Sequence, residues 1–351
     1  MRIGVLSHRG DAATLKNWSP TADYLSREIP EYHFTIVPLD FREIEPAVKG
    51  KQVEFLLVNP GIYVNMEVRH RISRIATLNN LLNDRPWNIF GGVLFTRADN
   101  QDIRTLEDVR GKRFIAVDQT SLGGFQMAWQ ELARLNLDPH ADTASLEFGG
   151  THDAVVRAVM EGRADVGTVR TGILEAMAQD GDSTTRAIRI LNDRWSEEHP
   201  FHHSTRLYPE WPFSKLQHTP NRLARRVAIA LLRMSSLDPA AQWGDYAGWT
   251  IPLEYQPVHD LLKELHLAPY DHPELFTLAD AVRKYWYWLL VALAFLLAMA
   301  VMTTWVARLN RALDRSKRML ERQHNLILEH PLGTVQRTVE PRHPCGHHRH
   351  G

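Results

Sequence analysis

Short apolar runs alternate with helix-period stretches through the first half of the chain, a pattern that predicts a parallel sheet with crossover helices. Residues 2–7 (RIGVLS) read as a strand; Ser19 then caps a helix with Pro20 at its first position and Ala22, Leu25 and Ile29 on one apolar face. Strands follow at 33–39 and 53–61, the latter ending in a turn, and again at 73–78 and 89–97. A second alternating series begins after Asp102: a strand at 112–118, a helix at 123–135, a strand at 145–150 leading into a helix at 152–161, and a strand at 164–170 leading into a helix from Thr171. A strand at 187–191 closes the series. Two βα series with return crossings predict two α/β lobes with a cleft between them, lobe 1 from about 1–97 plus about 190–270 and lobe 2 from about 98–189. The Pro- and His-rich stretch 199–220 reads as loop; Leu223, Val227, Ala230, Leu231 and Met234 restore a helical stripe, and 258–265 and 275–284 read as closing helices.

Residues 285–307 (YWYWLLVALAFLLAMAVMTTWVA) carry no charge over 23 positions, enough at about 1.5 Å per residue to cross roughly 30 Å of hydrocarbon. Trp286, Tyr287 and Trp288 at one end and Trp305 at the other occupy headgroup depth. Arg308, Arg311, Arg315, Lys317, Arg318 and Arg322 follow the span, against Arg283 and Lys284 before it, so the C-terminal side is expected in the cytoplasm and residues 1–284 outside. The expected order is therefore a ligand-binding domain over 1–270, a juxtamembrane helix over 271–284, the span over 285–307, a cytoplasmic helix over 308–329 and a non-periodic tail over 330–351. Met302, Val306, Leu309, Leu313, Ser316, Leu320, Gln323 and Ile327 recur at alternating spacings of four and three; this reads as a dimeric coiled-coil seam or as one amphipathic helix.

Composition adds limits. Acidic and basic residues balance at 41 each, so no global charge recruits nucleic acid. The one cysteine, Cys345, lies in the tail, so the large domain folds without disulfides. His343, His347, His348 and His350 surround it at no closed-site spacing, and neither a metal nor a cofactor is expected. Met1-Arg2 leads directly into the first strand, so either an export signal lies upstream of the given start, which is the expectation, or the span itself directs insertion.

Candidate chemistry gathers where strands give way to helices. Asp118-Gln119-Thr120-Ser121-Leu122-Gly123 brings two hydroxyls, free backbone N–H groups and a helix dipole to one point, which suits an oxyanion, although Thr120 or Ser121 could equally be an ordinary N-cap. Gly150-Thr151-His152 repeats the design with an imidazole, or with a plain surface histidine. Thr168-Val169-Arg170 adds a guanidinium able to grip an oxyanion bidentately, or to pair with a carboxylate. The first lobe offers Ser7-His8-Arg9 and Asn59-Pro60-Gly61-Ile62-Tyr63 at its own strand ends, where ligands of open α/β sheets lie. No nucleophile elbow, phosphate loop or clustered metal ligands accompany them, so binding rather than catalysis is expected.

Residues 105–125 (TLEDVRGKRFIAVDQTSLGGF) and 149–169 (GGTHDAVVRAVMEGRADVGTV) resemble the second lobe of the phosphonate/phosphate-type periplasmic substrate-binding proteins. Residues 2–10, 19–30 and 58–64 look closer still to the sensory domain of tetrathionate-sensor-type histidine kinases, and the likeness covers roughly 1–325. The resemblance implies an α/β, two-lobed periplasmic-binding-protein (type II, venus flytrap) domain, followed by one transmembrane helix and a short cytoplasmic helix. It implies a site of Thr120, Ser121 and His152, to which the strand-end reading adds His8, Arg9, Tyr63, Thr168 and Arg170. Two departures stand out. The phosphonate binders use acidic residues to hold a substrate amine where this chain has Arg170, which favours a purely anionic ligand. No phosphoacceptor box or kinase glycine motif follows Arg322, so no kinase or cyclase activity is expected of these residues themselves, and a sensor cut short after about Ile327 is expected. The reading is a membrane-anchored sensor input module for a small oxyanion, as a homodimer acting on a response regulator through an output region. The alternative is a tethered binding protein serving a phosphonate-type ABC transporter.

Overall fold

The computed structural model describes residues 1–82, 85–271 and 278–328. Residues 1–273 form one compact unit and 274–351 a second.

The first unit opens with β1 (Arg2–Leu6), α1 (Asp11–Glu28), β2 (Thr35–Leu39), α2 (Ile44–Lys49), β3 (Phe55–Leu57) and α3 (Pro60–His70). The antiparallel strands β4 (Ser73–Leu82) and β5 (Arg85–Trp87) follow, then the two-residue β6 (Ile89–Phe90). The second series is β7 (Gly92–Arg97), β8 (Arg113–Ala116), α4 (Met127–Ala133), α5 (Pro139–Asp142), β9 (Ser145–Phe148), α6 (His152–Met160), β10 (Val166–Arg170), α7 (Ile173–Gln179) and β11 (Ile188–Leu191). The chain returns through β12 (Tyr208–Pro209), β13 (Pro212–Lys215), α8 (Asn221–Arg233), α9 (Pro239–Gly244), β14 (Tyr246–Thr250) and α10 (Gln256–Glu264).

Two sheets result. The first runs β14-β4-β13-β3-β1-β2 and the second β11-β7-β10-β8-β9, with β12 pairing β6 as a separate ribbon. β1, β2 and β3 are parallel, as are β8, β9 and β10, which is the βα signature the periodicity predicts. Lobe membership differs from the expected boundaries near 97 and 190. β7 pairs with both β10 and β11, so β7 and β11 belong to the second sheet, and the chain crosses between sheets around β6 and β12.

Three local expectations are corrected. The first helix starts at Asp11, not at Ser19, and carries Pro20 inside it. Thr14, Trp18 and Thr21 extend the buried stripe of Ala22 and Leu25 back by two turns, and that burial outweighs the hydrogen bond the proline removes. The 199–220 stretch is not all loop. β13 inserts antiparallel between β3 and β4, with Pro212 at its first residue, one of the few strand positions that tolerates a missing N–H. The helix expected from Gly123 begins with a π-type turn, Leu122–Gln126, before α4.

Glycine positions reveal how closely the second lobe packs. A Cβ on Gly167 of β10 would lie 2.7 Å from Phe95 Cζ and 2.8 Å from Val159 Cγ2, so the strand seats between β7 and α6 only without a side chain.

The second unit is α11 (Leu278–Leu328), interrupted by non-helical backbone at Tyr285. Residues 275–277 of the expected closing helix and the 330–351 tail lie outside the described residues. Among the described residues, one helix, Tyr285–Asn325, is long and apolar enough to cross a membrane, and its large side chains from Tyr285 to Leu320 are exposed. The helical backbone continues from the apolar segment through Leu328 without a second break.

Gly167→Ala is expected to destabilise the domain by about 1–3 kcal/mol through overpacking, measured as a shift in the denaturant midpoint; an unshifted midpoint would show that β10 has room the structure does not give it.

Candidate functional site: a closed chamber between the lobes

Strand ends of both sheets meet at one place. β1 ends at Leu6, and His8, two residues on, lies under the second lobe: its carbonyl accepts the backbone N–H of His152 at 3.1 Å. His152 opens α6, whose N-cap Thr151 accepts the N–H of Ala154 at 3.3 Å. The His8 and His152 rings pack edge to face with centroids 5.6 Å apart, and His8 packs the same way on Trp211 at 4.9 Å. On the other flank, Asn59 caps α3 by accepting the N–H of Ile62 at 3.1 Å and reaches across to donate to the Thr120 carbonyl at 3.3 Å.

These contacts surround a small chamber with about 10 Å³ of free volume, lined by Leu6, His8, Phe41, Asn59, Phe90, Ser121, Gly123, His152, Arg170 and Trp211. His8, Arg9, Arg170 and Trp211 also line a larger groove of about 150 Å³. Four of the eight sequence-predicted residues, His8, Ser121, His152 and Arg170, therefore come together on one cavity.

The other four do not reach it. Arg9 is held by carboxylates of the second lobe: its Nε and Nη2 each donate to Asp153 at 2.9 Å, and Nη2 also reaches Asp180 at 2.9 Å. It ties lobe to lobe through Nε and Nη2 and lines the larger groove rather than the chamber. Tyr63 is fully buried inside the first lobe, donating to Glu67 at 2.5 Å and accepting from Arg74 at 3.1 Å, with its ring on Tyr255. Burial and the neighbouring Glu67 carboxylate push that phenol well above its ordinary range. Thr120 is exposed and turned back on Asp118, which accepts its hydroxyl at 2.7 Å and its N–H at 2.8 Å. Thr168 is fully buried, and its hydroxyl has no hydrogen-bond partner among the described residues.

Ser121 does both things the sequence left open: it caps the π-type turn by accepting the Gly124 N–H at 3.2 Å, and it faces the chamber. A Cβ on Gly123 would meet the Arg170 Cβ and the Phe90 ring at 2.8 Å, so this turn can approach β10 only as glycine.

Arg170 is also doubly occupied. Nη2 pairs with Glu210, both side chains being buried, and Nε donates to the Thr171 carbonyl at 3.3 Å. The guanidinium lies 4.5 Å from the Phe90 ring centroid and 5.7 Å from that of Trp211. Nη1 has no hydrogen-bond partner among the described residues. Glu210 is fixed in turn by Asn80 Nδ2 at 3.3 Å and the Trp211 N–H at 3.1 Å. Sequence reasoning missed Glu210 and Trp211 because it took their stretch for a loop. The available signal was a carboxylate between Tyr208-Pro209 and Trp211-Pro212, flanks too apolar for a solvated turn.

Both histidines are held neutral. Loss of solvent, then the charge of Arg170, pushes His8 down to about 3. Burial first, then His8, Arg170 and Arg9, keeps His152 well below its ordinary value. The chamber thus offers neutral imidazoles, one hydroxyl, one amide and one compensated guanidinium between aromatic walls. Such a set holds a small polar ligand by directed hydrogen bonds; it contains no nucleophile paired with a base.

Comparison with known proteins assigns the chain to a family. The model of the ABC-transporter phosphonate periplasmic substrate-binding proteins matches residues 3–250. The chain belongs to that family. Among solved structures, this family member is similar to the binding-protein component of an ABC phosphonate transporter, PA3383 from Pseudomonas aeruginosa, at 16% identity and TM-score 0.64, covering 92% of this chain and 98% of that one. It is similar as well to PhnD1 from Prochlorococcus marinus (MIT 9301), solved with methylphosphonate, at 13% identity and TM-score 0.63, covering 76% and 98%. These likenesses establish the two-lobed α/β periplasmic-binding-protein fold. The tetrathionate sensor histidine kinase TtrS of Salmonella typhimurium is 31% identical over 337 residues, 93% of this chain and 54% of the kinase, so the chain spans about half the length of that relative. This phosphonate-binding-type domain is thus homologous both to transport binding proteins and to the input region of a sensor kinase.

The Arg9–Asp153 contact is expected to couple the lobes: Arg9→Ala and Asp153→Asn, alone and together, should show a coupling of about 1–3 kcal/mol in denaturant melts. Purely additive losses would show that it does not hold the lobes together.

Proposed function

We propose that this protein is a membrane-anchored sensor input module that binds a small oxyanion outside the cytoplasm and passes lobe closure to the span. One observation carries the reading: four polar residues from strand ends of both sheets, His8, Ser121, His152 and Arg170, line a single chamber between the lobes. Tetrathionate-like sulfur oxyanions and phosphonates or phosphate are the ligand classes proposed, following the names of the relatives. Ser121 and the Nε2–H of His152 supply neutral donors, and Arg170 supplies charge through Nη1. Thr120, Thr168, Tyr63 and Arg9 act through the backbone or the packing around the chamber rather than as direct contacts.

The basic residues after Ala307 orient the span with residue 1 outside and the C-terminal side within. The helix that continues past Ala307 to Leu328, with Met302, Val306, Leu309 and Leu313 on its seam, pairs two copies and leads towards an output region that addresses a response regulator. A second reading, a tethered binding protein that delivers its ligand to a phosphonate-type ABC transporter, is favoured by the family's description. The continuous helix beyond the span favours the sensor, since a delivery protein needs no structured cytoplasmic extension.

Two outcomes test the proposal. Calorimetric titration with tetrathionate and with methylphosphonate should show binding that Arg170→Lys weakens about tenfold or more, because one fork-directed, charge-assisted bond contributes about 1.5–3 kcal/mol. Lysine keeps a cation beside Glu210; Arg170→Ala would instead strand that buried carboxylate at a cost of about 3–5 kcal/mol in stability. Unchanged affinity in a folded Arg170→Lys variant removes Arg170 from the site. For orientation, a reporter active only in the cytoplasm should be active when fused after Arg322; activity only of a periplasmic reporter reverses the topology.

A further inference from the structure

The hydrogen bonds of the two facing histidines determine which nitrogen of each carries its proton. His152 Nδ1 accepts the backbone N–H of Arg170 at 3.3 Å, so its proton sits on Nε2. His8 Nδ1 lies 3.4 Å from the Leu6 carbonyl. A carbonyl only accepts, so this contact puts the His8 proton on Nδ1 and leaves Nε2 a bare lone pair. Facing an anion, neutral His152 therefore presents a donor, whereas neutral His8 presents electron density.

We propose that His8 is the proton-coupled contact of this site: an oxyanion binds beside it together with one proton, taken up on Nε2, while His152 stays neutral and donates the proton it already has. This rests on the oxyanion reading above. The uptake balances, since one proton leaves solvent, one N–H forms, and no other bond changes. His152 cannot share the role without giving up the bond from the Arg170 N–H.

The groups around His8 show why the proton is absent until an anion arrives. Arg170 faces it from β10, His152 and Asp153 from α6, and Trp211 from the turn before β13; Arg9 follows it in the chain. Burial, Arg170 and Arg9 oppose a charge on His8; the Leu6 carbonyl and Asp153 favour one, the latter itself gripped by Arg9. Glu210 is spent on Arg170. A bound anion supplies the missing negative charge within the chamber and raises the His8 value from its free position near 3. The sign follows from linkage. With the bound-state value above the free one, affinity rises as pH falls through the window between them, by up to about tenfold per pH unit for one proton, and is level on either side.

The test is calorimetry on the full chain in detergent, with tetrathionate and methylphosphonate as probes, at pH 5.5 and pH 7 in buffers of different ionisation enthalpy. The expected result at pH 5.5 is uptake of about one proton per anion bound, with tighter binding than at pH 7, and no uptake in His8→Gln. Proton-free binding by the parent chain, or undiminished uptake in His8→Gln, overturns the proposal while leaving the oxyanion reading intact. If His8→Gln does not fold, imidazole nitrogen shifts of the parent chain decide instead: His8 protonated on Nδ1 alone when free and on both nitrogens when bound supports it, and a proton on Nε2 of the free protein refutes it. Failure of both probes to bind at either pH removes the oxyanion reading, and this inference with it.

Discussion

The buried pair between Arg170 and Glu210 is the contact on which the rest of the cleft depends. Each ion has lost its water, and such a pair stabilises a fold only when further hydrogen bonds complete it. Here the completion is extensive. Glu210 takes bonds from Asn80 and from the Trp211 backbone, and Arg170 gives one to Thr171 while lying over Phe90. The pair ties the end of β10, in the second sheet, to the ribbon by which the chain returns to the first. The N–H of Arg170 in turn orients His152, so the lobe-to-lobe geometry and the tautomer of a chamber histidine share one anchor.

Closure has its own machinery beside that anchor. Arg9 reaches from the first lobe to two carboxylates of the second, and the His8 carbonyl takes the first N–H of α6. On the proposed reading, a ligand need only bind the closed arrangement more tightly than the open one to shift the balance between them.

The βα rhythm of residues 2–61 and 112–170 was legible because parallel strands leave short apolar runs between helical stripes. The helix face through Leu25 and the strand-to-helix positions of Ser121, His152 and Arg170 followed from it. What stayed hidden has physical causes. β13 begins on a proline among prolines and histidines, so no alternation marks it as a central strand, and with it Glu210 and Trp211 were lost from view. β7 reads as part of the first series because it follows β6 directly; only its partners β10 and β11 assign it to the second sheet. Tyr63 and Arg9 occupy strand ends just as the true lining residues do, and local sequence cannot tell a side chain pointing into a cleft from one satisfied by Glu67 or Asp153. The resemblance to phosphonate binders and tetrathionate sensors was carried by the order of the junctions; the family match over residues 3–250 bears out the first, and 31% identity to a tetrathionate sensor kinase the second.

The central claim is that the chamber between His8 and Arg170 holds a small oxyanion. A crystal structure of the domain grown with tetrathionate, and another with methylphosphonate, tests it most directly. The account predicts the anion within hydrogen-bond distance of Ser121, the His152 Nε2 and the Arg170 Nη1. An anion bound elsewhere on the domain, with the chamber unchanged and empty of it, would contradict the account.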